Sequence, residues 1–174
     1  MLESGPISLR PITPDELDQT RAWANDPELR RLILRVGDVT PEDQLRWYER
    51  LQVDASRRVF AVFEQGRHVG NTGLYHIDHA HRRAEFWILL GDEDRRGHGL
   101  GSTVLGLMLR HGFEELGLNK IFLHVGEGNL AARRLYERFG FRQDSLLREH
   151  YLIEGAWVNV LGMSLLRSEY HGQK

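Results

Sequence analysis

From residue 7 the chain alternates apolar and polar positions, with Ile7, Leu9 and Ile12 set against Ser8 and Arg10. A period of two puts the apolar set on one face of a strand, so residues 7–12 read as a first strand. Thr13-Pro14-Asp15-Glu16 breaks that pattern. Thr can cap a helix, Pro suits the first helical position, and Glu16 is spaced to complete a capping box. A short helix over 17–24 should follow, stopped by Asn25-Asp26-Pro27. Thr40-Pro41-Glu42-Asp43 repeats the start signal, with a helix to Leu51. Two short helices after the first strand are therefore expected.

Next come strands over 58–64 and 68–77, turned by Gln65-Gly66-Arg67, and a strand over 84–90 after a polar turn at 78–82. From Gly99 to Leu116 the apolar positions Leu100, Val104, Leu107, Met108 and Phe113 recur at helical spacing, and Gly117 ends the helix. A strand over 120–125 precedes a helix over 129–139, closed by Gly140. Two last strands, 141–147 and 157–166, are joined around Glu154-Gly155. An antiparallel meander followed by strand-helix-strand-helix is an α/β (α+β) order, with helices on a central sheet. No repeat or Pro/Gly/Ser-rich linker divides the chain, so residues 1–174 read as one domain with its core at about 7–166.

Composition narrows the chemistry. Apolar residues are 41% and charged residues 28%, the balance of a folded globular protein. There is no cysteine, which removes disulfides, thiolate-held zinc and a thiol nucleophile, and fits a cytoplasmic protein. A net charge of -2 gives no general field for nucleic acid. The first residues lack a basic stretch followed by an apolar one, so no signal peptide is expected. The longest strongly apolar run, residues 86–90, is far too short to span a bilayer, so no membrane association is expected.

The strand ending at Leu90, a glycine-rich segment and a helix from Gly99 together form an anion site. Unpaired N–H groups at a helix start and the helix dipole favour phosphate. Glycines let the backbone approach it closely. Arg95 and Arg96 add charge, and Ser102 and Thr103 stand in the first turn. The dinucleotide fingerprint fails because its third glycine falls one residue early, at Gly101; the P-loop fails because the segment has no lysine. Arg-x-x-Gly-x-Gly fits, through Arg96, Gly99 and Gly101.

This motif between a strand and a long helix resembles the pyrophosphate loop of the GNAT superfamily of acyl-CoA N-acetyltransferases. About thirty residues on, Asn129-Leu130-Ala131-Ala132-Arg133-Arg134-Leu135-Tyr136 and Gly140-Phe141 resemble its second signature. Trp23-Ala24-Asn25-Asp26-Pro27, Ala84-Glu85-Phe86 and Glu154 to Val160 are similar to the branch of ribosomal-protein N-terminal, spermidine and nucleotide-amino-sugar acetyltransferases. The resemblance implies the acyl-CoA N-acyltransferase fold: a twisted, mostly antiparallel mixed sheet, splayed at its centre, with helices on both faces. It implies acetyl-CoA as co-substrate, without a metal. Ile88 and Leu90 would pair with the pantetheine arm. Arg95, Arg96, Gly97, His98, Gly99, Leu100, Gly101, Ser102, Asn129 and Arg133 would complete the cofactor site. The N-terminal helices shape the acceptor pocket in this family, making Trp23 and Asn25 acceptor-site candidates. The last strands often pair two subunits, so a homodimer is expected.

Acyl transfer to an amine needs a neutral nitrogen, a donor to the carbonyl oxygen and a proton for the departing thiolate. A lysine-like amine of pKa ~10.4 is neutral about once in 2,500 molecules at pH 7, a cost of roughly 4.6 kcal/mol; for an α-amine near ~8 it is about 1.4 kcal/mol. Glu85, on one face with Trp87 and Leu89, is the candidate base, and Asp78 and Glu127 are reserves. Tyr136 is the candidate acid, since a phenol stays protonated at neutral pH; the resemblance places it beside the thioester sulfur. His76, Asp78, His79 and His81 could be imagined around a metal, but their spacing reads as a solvated hairpin. Acceptors, in falling order, are a protein N-terminus, an amino sugar or other small metabolite, and a polyamine, for which the acidic residues are too dispersed. The alternative is a non-catalytic acyl-CoA-binding sensor, which would not need Glu85 or Tyr136.

Overall fold

In the computed structural model, which describes residues 1–91 and 99–172, the strands join in one sheet. They are β1 (Leu2–Ser4), β2 (Ile7–Pro11), β3 (Arg58–Glu64), β4 (Arg67–Asp78), β5 (Arg83–Leu90), β6 (Lys120–Gly126), β7 (Arg142–Ile153) and β8 (Ala156–Leu166). The order across the sheet is β1-β2-β3-β4-β5-β6-β8-β7. Every neighbouring pair is antiparallel except β5 and β6. The helices are α1 (Leu17–Asn25), α2 (Pro27–Leu32), α3 (Pro41–Val53), α4 (Leu100–Arg110) and α5 (Leu130–Arg138).

Capping follows the sequence closely. The Glu16 carboxylate accepts from the Thr13 backbone N–H at 2.7 Å, and Asp43 accepts from Thr40 N–H at 3.1 Å while Thr40 Oγ1 accepts from Asp43 N–H at 3.1 Å. The layer between β2 and β3 holds three helices rather than the expected two. Asp26 ends α1 and caps α2, its carboxylate accepting from the N–H groups of Glu28 and Leu29. Asp26-Pro27-Glu28 is thus both a stop and a start. Strand β1 was also not expected, because three residues are too few for a period of two to register. Strand β7 runs to Ile153, past the expected end at 147. Two register shifts, at 143–145 and 147–151, break its alternation. The helix from Leu100 closes as a wider π turn over His111–Glu115, and Gly117 follows with φ +64°.

The two faces of the sheet bury different clusters. Helices α4 and α5 pack on the main core, where Val104, Leu105, Met108 and Phe113 meet Leu74, Ala84, Phe86, Ile121 and Leu123. The opposite face carries the N-terminal helices: Trp47, Tyr48 and Leu51 pack with Val59, Ala61 and Trp87, and Trp23 and Leu29 pack with Leu89. The residues of β5 therefore divide by parity. Ala84 and Phe86 belong to the main core, whereas Trp87 and Leu89 lie under α1–α3.

The centre of the sheet is where it comes apart. β5 and β6 pair only at Arg83↔Lys120, Ala84↔Ile121 and Glu85↔Phe122. Beyond Glu85 the two strands diverge, β5 staying with β4 and β6 with β8. On the β4 side the strands are held close. A side chain at Gly73 would lie 2.5 Å from the Arg58 carbonyl oxygen and 2.9 Å from Trp87 Nε1. Neither neighbour is a flexible chain end. Gly73→Ala should therefore cost about 1–3 kcal/mol through forced displacement, read as a lower denaturation midpoint with an unchanged slope.

Candidate active site

The phase of the β4–β5 ladder is fixed by one bond: Gly91 N–H donates to the Val69 carbonyl at 3.0 Å. Antiparallel residues alternate between facing the partner strand and facing away. Trp87, Leu89 and Gly91 thus direct their backbone groups to β4. The Trp87 carbonyl also accepts from Thr72 Oγ1 at 2.8 Å on that side. Ile88 and Leu90, of opposite parity, direct their N–H and C=O groups to the other side, where β6 has left. Among the described residues they meet no partner strand, and such groups need partners. They suit an extended chain of amides laid into the gap.

At the end of the gap, Gly99 is the N-cap of α4, with φ +84°. Its carbonyl accepts the first helical bond, from Thr103 N–H at 3.0 Å. The N–H groups of Leu100, Gly101 and Ser102 therefore have no intrahelical partner. A side chain at Gly101 would sit 3.4 Å from Leu135 and 3.7 Å from Leu90, ordinary contact distances. Packing alone does not demand glycine there, and its lack of a side chain leaves the helix start open. Arg95, Arg96, Gly97 and His98 lie outside the described residues. Within them, Arg138 of α5 points Nη2 at Ser102 Oγ, 3.5 Å away. This puts a guanidinium at the first turn of α4, a cation that the sequence motifs did not single out.

Asn129 caps α5, its side chain accepting from Ala132 N–H at 3.2 Å. Arg133 donates from Nη1 to the Glu127 carbonyl at 3.0 Å, bracing the turn into α5. The Glu127 carboxylate accepts from Asn159 Nδ2 at 2.9 Å, which ties that turn to β8. Helix α5 delivers Tyr136 to the main core, where it is 6% exposed and meets Phe86 edge-on at 6.3 Å. Burial alone pushes its phenol up to about 12.

Glu85 lies on the opposite face of β5 from Phe86 and Tyr136. Its carboxylate is flanked by two imidazoles: His124 Nδ1 of β6 is 2.7 Å from Oε1, and His76 Nε2 of β4 is 3.6 Å from Oε2. His76 reaches it from a bulge between Tyr75 and Asp78, where its φ is +51°. The hydrogen bond to Glu85 raises His124 above its usual range, against a smaller opposing effect of partial burial. His124 was not a sequence candidate; only the β5–β6 register brings it to Glu85. Asp78 instead closes its own hairpin, accepting from His81 N–H at 2.9 Å and meeting the His81 ring at 2.8 Å. Among the described residues no group of three or more side chains could hold a metal ion, and no helix is long and apolar enough to cross a membrane.

Both acceptor-site candidates also hold neighbouring backbone. Asn25 clamps the Val39 backbone, donating to its carbonyl at 3.0 Å and accepting from its N–H at 2.7 Å. Trp23 is buried over Gly91, where a side chain would collide with the indole at 1.9 Å. Trp23 thereby fixes the backbone at Gly91, the end of the described part of this segment.

A family model described as an acetyltransferase (GNAT) domain matches residues 7–142. The chain is similar to a spermidine N(1)-acetyltransferase of Escherichia coli, 29% identical over 164 residues that cover 94% of this chain and 88% of the relative. It is similar to the Vibrio cholerae spermidine N(1)-acetyltransferase, 36% identical over 67% of each chain. Among solved structures, it is similar to spermidine N-acetyltransferase from Vibrio cholerae in complex with CoA and spermine, with a TM-score of 0.90, 28% identity and coverage of 96% of this chain and 99% of that one.

The Glu85–His124 pair has a consequence for stability. A histidine whose folded pKa is raised stabilises the fold fully below its unfolded value of about 6.5, and that contribution disappears as pH rises through the folded value. The stability difference between wild type and Glu85→Gln should therefore be larger at pH 6 than at pH 8.5, measured by urea denaturation at both.

Proposed function

The chain belongs to the GNAT acetyltransferase family, and we propose that it acetylates a small aliphatic primary amine in the gap between β5 and β6. It is an N-acetyltransferase, and acetyl-CoA supplies the acetyl group as a thioester. The observation that carries the site assignment is that Glu85 and Tyr136 lie on opposite faces of the sheet. They can act on one reacting centre only through the opening where the strands part. The amine approaches from the side of α1–α3 and the thioester from the side of α4 and α5.

Ile88 and Leu90 hold the pantetheine amides with their outward-facing backbone groups. The unpaired N–H groups at the start of α4 hold the pyrophosphate, with Arg138 beside them and Arg95, Arg96, Gly97 and His98 in the adjoining segment. Asn129 and Arg133 set the position of α5 and hence of Tyr136. Glu85 accepts the proton of the amine, which frees its electron pair for the carbonyl carbon. Tyr136 donates toward the sulfur as it leaves. A phenol near 12 lies about 3.5 units above a thiol near ~8.5, roughly 5 kcal/mol against full proton transfer if the thiolate were in water. The same desolvation raises the conjugate acid of the thiolate, so the donation works only in a crevice closed to water.

The acceptor class follows from the relatives, whose spermidine activity moves small aliphatic amines ahead of protein N-termini. Such an amine bears the larger ionisation cost, which a carboxylate held in place by two imidazoles is suited to meet. The chain without cysteine fits the cytoplasm. Two copies are proposed to pair through β7 and β8: β7 is an edge strand, and Leu146, Leu152 and Trp157 are exposed along this hairpin. Light scattering should show a dimer that Trp157→Ser shifts toward monomer; a wild-type monomer would refute the pairing.

The reaction is tested by CoA release from acetyl-CoA across a panel of amines led by spermidine. The chain has no cysteine, so a thiol reagent reads only the product. Turnover is expected with at least one small amine, with kcat falling about a hundredfold or more in Glu85→Gln and in Tyr136→Phe while acetyl-CoA still binds. Tight acetyl-CoA binding without turnover of any amine would return the protein to the sensor reading.

A further inference from the structure

Of the nine histidines in the chain, two converge on a single carboxylate, and packing explains neither. The His124 side chain is 41% exposed and His76 is 69% exposed. His76 is held there by a left-handed backbone in a bulged strand, a strained conformation of the kind that persists where function needs it. Opposite His124 on β8 stands Gly162, which contributes no side chain against the ring. The other charged groups near His124 line the same 180 Å³ recess: Arg83 of β5, Lys120 of β6 and Asp144 of β7. Lys120 and Asp144 neutralise each other at 2.6 Å, and Asp144 also accepts from Ser164 Oγ at 2.8 Å. Arg83 leans on Asp78, 3.8 Å away. Glu85 is therefore the anion that answers His124, and His76 its other neighbour.

We propose that His124 is a positioning residue for the acyl transfer, holding Glu85 Oε1 so that Oε2 faces the amine and gating the basicity of that carboxylate by its own charge. The inference rests on the reading of Glu85 as the base. With a neutral imidazole, Nδ1–H donates to Oε1 and the carboxylate keeps its full negative charge. Oε2 then takes the proton: an N–H bond of the ammonium breaks, an O–H bond forms, and the nitrogen keeps the electron pair that attacks the carbonyl carbon. As nitrogen bonds to the carbonyl carbon and the C–S bond breaks, Tyr136 protonates the departing sulfur and regains a proton from the second N–H, while the proton on Glu85 passes to water. With an imidazolium, the positive charge beside Oε1 weakens the hold of the carboxylate on an incoming proton. Turnover therefore rises with pH as His124 loses its proton, by up to tenfold per unit below that point.

The test combines two readouts. The first is kcat/KM between pH 5 and 9 for wild type, His124→Gln and Glu85→Gln, each with two acceptors whose amines differ in pKa by two units or more. The second is the titration of the His124 ring followed by NMR. In wild type the acid limb should coincide with the His124 titration and stay in place when the acceptor is changed. His124→Gln keeps a neutral donor to Oε1; it should bind acetyl-CoA normally and lose that limb, so that its activity at pH 6 approaches its activity at pH 8. A limb that survives in His124→Gln, or that moves with the acceptor, overturns the proposal. Wild-type turnover in Glu85→Gln would instead remove the base reading on which it stands, so the two failures are distinguishable.

Discussion

The site depends on a pairing that stops. β5 and β6 are held together over three residues and then separate, although ladder hydrogen bonds and side-chain packing would ordinarily favour continuing. Each strand is kept by its other neighbour: β5 by the long β4 ladder, with Gly70 and Gly73 allowing close approach, and β6 by seven register pairs with β8. Two rigid half-sheets hinged at Ala84 and Glu85 leave a wedge that neither can close. Among the described residues, the wedge leaves backbone groups of known direction without a partner strand in an otherwise well-packed protein. Such a wedge suits an extended amide-bearing chain, the reading proposed above for the cofactor.

Division of labour follows from the same geometry. The face under α4 and α5 is dry and apolar and carries the phenol. The face under α1–α3 is polar at the gap and carries the carboxylate with its imidazoles. A roof crosses the polar side. Leu34, with φ +56°, brings its side chain to the Gly126 position at the end of β6, where a Cβ would meet it at 3.3 Å. Arg31 of α2 pairs with Glu154 in the β7–β8 turn. The N-terminal helices are thereby tied to both halves of the sheet. Asn25 contributes by fixing the Val39 backbone.

Much of this was legible in the chain because local chemistry decided it. Thr13 and Thr40 caps, the alternation of β2 and β3, and the glycine stops after α4 and α5 all act within a few residues. The cofactor was legible too, because Arg96, Gly99, Gly101 and the 129–141 segment resemble the family's signatures at fixed spacing. What escaped needed tertiary register. His124 lies 39 residues from Glu85 and is joined to it only by the parallel pairing. His76 could be seen as part of a histidine-rich hairpin, but its aim comes from a bulge that no periodicity reveals. Arg138 serves the start of α4 from the far end of α5. Trp23 and Asn25 stand out in a recognisable segment, but the neighbouring backbone each holds in place is visible only in the fold.

The most direct measurement is amide hydrogen exchange along β5, residue by residue, with and without acetyl-CoA. In the free protein Trp87, Leu89 and Gly91, whose N–H groups face β4, should be protected, and Ile88 and Leu90, which face the gap, should exchange quickly. Acetyl-CoA should slow Ile88 and Leu90 while leaving the other three nearly unchanged. Equal protection of all five residues in the free protein, or no change at Ile88 and Leu90 on binding, would contradict the account of the parted strands as the cofactor site.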